Sequence, residues 1–333
     1  MQGGLTMVSH PISRFFRGLL RFSQVAGLAL LLLTVHAQDY TEEEYNQYQA
    51  IEAETDAGAK TDMIVKFFAD HPESSLKPYI VSSFQRLISD LCQKKQWAEA
   101  ITTGSKFLSA VPDDSVTIGA MAYAYSASNN QKGFVTFGTK AYDANPNKEL
   151  AYSIAEAHLR LGNETEFLKW GDRVLEYSPD NVTILAQLLN LTTGARQEKY
   201  AGMALKALPN AKKPDDISDQ VWKETVNASY AMSYGSLGAA AYQNGRYNEA
   251  VKHLSSAVKY NKKNETAYFF LGMSYWRINQ IDPAMMNFAR ADVLGGSTAS
   301  QAKKYLQQLW SNSHGGSVGG MESLIRKAQE EFK

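Results

Sequence analysis

One cysteine, Cys92, stands in 333 residues. No internal disulfide can form, so packing alone must hold the fold. Prolines number only nine, too few for an extended, proline-stiffened chain. Neither sign of charge prevails, with 34 Lys and Arg against 34 Asp and Glu. A nucleic-acid interface would need a basic excess gathered on one face, and none is offered. No apolar run reaches the roughly 20 residues of a bilayer span. Phosphate-loop (G-x-x-x-x-G-K-[ST]) and zinc-protease (H-E-x-x-H) motifs are also missing. What is present is a 44% apolar composition, enough for a chain of this length to bury a core.

The first forty residues stand apart. Arg14, Arg17 and Arg21 precede an apolar run from Val25 to Val35, and Val35-His36-Ala37 offers small residues at a cleavage site. A basic flank, a short apolar core and a small-residue exit predict a secretory signal peptide over residues 1–37. The mature chain then begins at Gln38, does not span a membrane, and is periplasmic or secreted. The leader carries three arginines and no acidic residue, so the mature chain is slightly acidic. An uncleaved N-terminal anchor is the alternative.

Periodicity is the strongest signal. Tyr234, Leu237, Gly238, Ala250, Leu254 and Ala257 are followed 34 residues later by Tyr268, Leu271, Gly272, Ala284, Phe288 and Ala291. This resembles the tetratricopeptide pattern W-x2-L-G-x2-Y…A-x3-F…P, with Tyr in place of Trp. The resemblance implies an all-α fold, a right-handed superhelical α-solenoid of about seven helix-turn-helix repeats. Weaker copies reach toward the N-terminus, marked by Pro112, Pro146, Pro179 and Pro209 where a second helix should end. His71-Pro72 closes a first, degenerate pair that opens near Thr41, where Glu44 completes a capping box. Small residues at helix crossings (Gly238, Gly272, Ala250, Ala284) let backbones approach, and Leu and aromatic neighbours fill the space.

Two stretches break the period. Pro209 to Asp216 reads as a seam, after which one helix runs unbroken from about Ser218 to Gln243. Gly295-Gly296 and the glycines from Gly315 to Gly320 punctuate two closing helices, Thr298–Ser311 and Met321–Phe332. The expected organisation is therefore a signal peptide (1–37), degenerate helical repeats (38–209), clear tetratricopeptide-like repeats (210–296) and capping helices (297–333).

Catalytic and metal chemistry has little to stand on. His71, His158, His253 and His314 are isolated, so neither a metal nor another cofactor is expected. Cys92 reads as a structural thiol. Asp113-Asp114 and Asp215-Asp216 follow prolines at helix starts, where they complement the helix dipole. Five Asn-x-Ser/Thr tripeptides, at Asn163, Asn181, Asn190, Asn227 and Asn264, arise readily in a polar helical repeat. No enzyme is expected.

By the resemblance, the first helix of each pair lines a concave groove. The groove positions are Met232, Ser236, Tyr242 and Gln243 in one clear copy and Thr266, Phe269, Phe270, Met273, Trp276 and Arg277 in the next. Gln85, Arg86, Tyr123, Ile154, Arg160, Gln187 and Asn190 occupy such positions upstream. Tyr242, Phe269, Met273, Trp276 and Arg277 make an aromatic, polarisable patch of a kind enriched at interface cores. They are the candidate partner-binding residues. The clamp that some family members use for a C-terminal carboxylate needs Lys and Asn where this chain has Gly235 and Ala239, then Phe269 and Met273. The expected function is an adaptor binding a protein or peptide segment, with envelope assembly as the setting that exported members imply. A repeat scaffold recognising glycan or peptidoglycan is the alternative, as is burial of the aromatic patch beneath the closing helices.

Overall fold

The computed structural model describes residues 40–213, 217–317 and 319–333. The expected leader and the Pro214-Asp215-Asp216 stretch lie outside the described residues. Within them the chain forms sixteen α-helices and no strand. The pairs are α1 (Glu42–Ala53) with α2 (Ala57–Asp70), α3 (Lys77–Gln93) with α4 (Trp97–Ala110), and α5 (Ser115–Ala127) with α6 (Gln131–Ala144). Next come α7 (Lys148–Arg160) with α8 (Glu164–Tyr177), and α9 (Val182–Leu191) with α10 (Gly194–Ala207). The last three are α11 (Asp219–Gln243) with α12 (Tyr247–Tyr260), α13 (Glu265–Arg277) with α14 (Ile281–Leu294), and the closing α15 (Ala299–Ser313) and α16 (Met321–Glu330). Seven pairs precede the closing one, as the proline spacing implies. Pro72, Pro112, Pro146, Pro179 and Pro209 each fall two residues past the end of a second helix.

Local chemistry sets these boundaries. Thr41 and Glu44 form the expected reciprocal capping box at α1. Asp56, Asp114, Asn130, Asn147, Asn181, Ser218 and Asn264 each accept a backbone N–H of the helix they start, which satisfies donors a helix cannot pair itself. The sequons at Asn181 and Asn264 are thus helix caps. At the turn inside five pairs, one residue adopts left-handed backbone: Lys95, Asn129, Gly162, Gly245 and Asn279, with φ between 59° and 73°. The residue after each donates its N–H five positions back, as in Gln96 to Leu91 and Gln280 to Tyr275. This is the Schellman closure that ends a helix and reverses the chain.

The described residues divide within α8, after Val174, into two compact units. In the first, Phe84 of α3 and Phe107 of α4 are fully buried and stack face to face with centroids 3.9 Å apart. Cys92 lies in the same core, where burial pushes its thiol up to about 11. It is the inert structural thiol the sequence suggests. In the second unit a methyl group added at Gly238 would come 2.5 Å from Leu254, and one at Gly272 would come 2.7 Å from the Phe288 ring. Ala250 and Ala284 are fully buried. Helices cross where the sequence places small residues, because only there can backbones come this close.

The long helix α11 runs from its Ser218 cap to Gln243, as the lack of a breaker predicts. It packs on α10 as well as on α12, so packing does not break at the stretch after Pro209. The closing helices are tied back firmly. The Glu265 carboxylate of α13 accepts the backbone N–H and the hydroxyl of Thr298, serving α15 as a cap that its own sequence does not supply. Arg290 of α14 makes a two-pronged pair with Glu331 at 2.8 and 2.9 Å.

Candidate interaction groove

The groove is built in the second unit on the exposed side of α11 and α13. Met232, Gly235, Ser236 and Ala239 succeed one another in three- and four-residue cycles along α11, so they share one stripe. Opposite them stand Thr266, Ala267 and Phe270 of α13, with Asn264 at its cap, Leu254 below, and Gln197 reaching in from α10. Together they enclose a cleft of about 240 Å³. Its emptiness has a simple cause: three neighbouring positions on α11 carry a hydrogen, a methylene hydroxyl and a methyl. A methyl group added at Gly235 would find nothing nearer than the Asn264 Nδ2 at 3.9 Å, so the space is open to a larger side chain.

From the cleft an aromatic path leads along the groove. The Phe270 ring lies 5.5 Å from Tyr242, and Tyr242 lies 5.6 Å from Tyr247. Beyond Tyr242 comes Arg277. Hydrogen bonding to the Tyr242 hydroxyl, reinforced by the nearby Tyr242 and Tyr247 phenols, raises the Arg277 guanidinium above its ordinary pKa. It is exposed, and no carboxylate pairs with it among the described residues. The upstream candidates differ: Arg86 pairs with Glu52 at 3.3 Å and Arg160 with Glu156 at 3.6 Å.

Residues 238–279, which include most of this groove, match the family described as TPR repeat. These residues carry a tetratricopeptide repeat. No curated protein matches it in sequence. Among solved structures it is similar to one described as MamA MSR-1 C2, with 16% identity over 54% of this chain and 95% of that one, at a TM-score of 0.37. A tetratricopeptide repeat protein from Parabacteroides merdae shares 12% identity over 81% of this chain and 96% of its own, at 0.28. YrrB, described as a TPR protein with an unusual peptide-binding site, shares 13% over 72% and 97%, at 0.27.

In this helical array the expected patch is only partly assembled. Tyr242, Met273 and Trp276 are half-buried and Arg277 is exposed, but Phe269 is a core residue at 9% exposure. Tyr305 of α15 covers it at a ring distance of 6.1 Å, with Phe288 beneath at 6.0 Å. Phe269 is therefore corrected from groove to cap contact. Trp276 meets Tyr305 edge-on at 5.5 Å and forms the rim of that cap. Ile154 is likewise fully buried and leaves the groove.

Four contributors carry little signal in the sequence. Gln197 comes from the preceding pair, and no local pattern announces it. Asn264 stands out only as a sequon. Gly235 and Ala239 argue against a carboxylate clamp, yet their smallness also creates the cleft.

Elsewhere the described residues hold no cluster of His, Cys, Asp and Glu able to bind a metal. His158 is buried, with its Nδ1 unpaired, and burial lowers its pKa, which keeps it neutral. Residues 315–319 spell Gly-Gly-Ser-Val-Gly, the letters of a hydrolase nucleophile elbow. That elbow needs a strand-to-helix turn, whereas this stretch comes after α15, and the Ser317 hydroxyl oxygen accepts the Gly319 N–H.

Proposed function

We propose that the protein is a non-enzymatic adaptor that holds an extended segment of a partner protein in the α11–α13 groove. The observation that carries this reading is the preformed cleft. Its lining mixes apolar Met232, Leu254 and Phe270 with polar Gln197, Ser236, Asn264 and Thr266, so it can seat a side chain and bond the backbone beside it. Repeat arrays offer such extended concave surfaces because their stacked helices leave one face free of partners. A scaffold role also accounts for the residues without invoking any reactive group.

The test is a variant that blocks the cleft while sparing the fold. Gly235 sits inside a helix with space around its Cα, and Gly costs a helix interior about 1 kcal/mol relative to Ala. Gly235→Leu should therefore fill the cleft and leave thermal stability equal or raised. On arrays of 12-residue peptides, those bound by the native protein should lose at least about tenfold in affinity to this variant, a change of roughly 1.4 kcal/mol. Equal binding by both would remove the cleft from the interaction.

The adaptor is exported, acting in a periplasm or outside the cell, with the signal peptide ending at Ala37. This rests on the basic flank, the short apolar core and the Val35-His36-Ala37 exit. N-terminal sequencing of the exported protein should read Gln38 first. A chain still carrying its arginine-flanked apolar run would contradict cleavage.

A further inference from the structure

We propose that the groove selects an acidic partner segment, in which one aliphatic or aromatic side chain fills the α11–α13 cleft and an Asp or Glu about three residues away meets Arg277. This selectivity rests on the adaptor reading and deepens it. Donors and acceptors along the path point to it. At the cleft, Asn264 uses its Oδ1 to accept the Ala267 N–H at 3.0 Å, which leaves its amide N–H groups to donate. That nitrogen faces Gly235 across the open space. Gln197 donates one amide N–H to the Leu189 carbonyl at 3.2 Å, and its second N–H is a further donor beside the cleft. No carboxylate lines the cleft. The nearest in sequence, Glu265, is engaged at both oxygens, Oε1 by the Thr298 N–H and Oε2 by the Thr266 hydroxyl at 3.2 Å. At the far end stands the positive charge of Arg277.

An exposed guanidinium beside phenol rings, without a carboxylate of its own, is matched to a carboxylate brought by another molecule. Guanidinium and carboxylate form two parallel hydrogen bonds, and neighbouring rings reduce the water that competes for them. Separation sets the spacing. Phe270 walls the cleft, and Arg277 stands seven residues further along the same helix, about 10 Å at a helical rise of roughly 1.5 Å per residue. An extended chain advances roughly 3.3 Å per residue, which gives about three residues between the two anchors. The arginines at upstream groove positions do not fit this role, because Arg86 and Arg160 are paired within the chain.

The experiment uses 12-residue peptide arrays carrying one Leu, Phe or Trp, with Asp, Asn or Lys placed two to five residues from it on either side. Arg277 is exposed, so its replacement should leave unfolding unchanged. The native protein should bind the Asp peptides at least about tenfold better than their Asn counterparts, with the gap narrowing in 0.5 M salt. Arg277→Gln should erase that preference while keeping apolar-anchored binding, and Arg277→Glu should turn it toward Lys. Gly235→Leu should lose binding to every series. Equal binding of Asp and Asn peptides by the native protein, sensitive to Gly235→Leu, would overturn acidic selection and leave the adaptor reading standing. No peptide binding at all would overturn both.

Discussion

Replacing Phe288 with alanine should destabilise the C-terminal unit by about 3–5 kcal/mol, the cost of removing a fully buried aromatic ring from a core that cannot close over the space. Phe288 has no exposed surface. Its ring fills the gap that Gly272 leaves open and touches Phe269 and Tyr305 at 6.0 and 5.5 Å. It thereby joins α13, α14 and α15 at one point. Urea unfolding followed by circular dichroism would measure the loss. A companion cycle tests the contact itself. Gly272→Ala alone should destabilise, because its methyl group meets the ring; in a Phe288→Leu background the same change should cost markedly less. Residues in contact couple in this way, and strict additivity would show that the two helices do not meet there.

Phe107→Ala should have a comparable effect on the N-terminal unit, again about 3–5 kcal/mol. Here the loss combines burial with stacking. Phe84 and Phe107 lie nearly parallel, with 4° between their planes, and Phe68 approaches Phe107 at 6.3 Å. Phe107→Leu keeps most of the buried volume but ends the stack, so it should cost less than the alanine variant. Chemical denaturation resolves both. A Phe107→Ala protein with an unchanged midpoint would mean that this core is far looser than its geometry shows.

Most of the fold was legible because its determinants are local. Pro112 or Pro146 ends a helix wherever it stands, Ser218 caps one, and the absence of a breaker before Gly235 lets α11 run to Gln243. Gly238 and Gly272 could be read as crossing points because their large partners, Leu254 and Phe288, recur at the same offset. The site was less legible. Phe269 and Met273 lie on one stripe of α13, and nothing in that stripe says that Tyr305, more than thirty residues later, will lie over the first and not the second. The cleft is harder still, since it consists of side chains that are not there. Gly235, Ser236 and Ala239 become a cavity only once Phe270 and Gln197 stand around them.

The left-handed turn residues carry one more consequence, for building with this chain. Lys95, Asn129 and Gly162 recur at intervals of 34 and 33 residues, and Gly245 and Asn279 at 34, although the side chains around them have drifted far apart. Each is succeeded by the same backbone closure, with N···O distances of 2.8 or 2.9 Å. These positions therefore share one turn geometry, the condition a splice joint must meet. A module cut between two of them would carry the same backbone closure at each end.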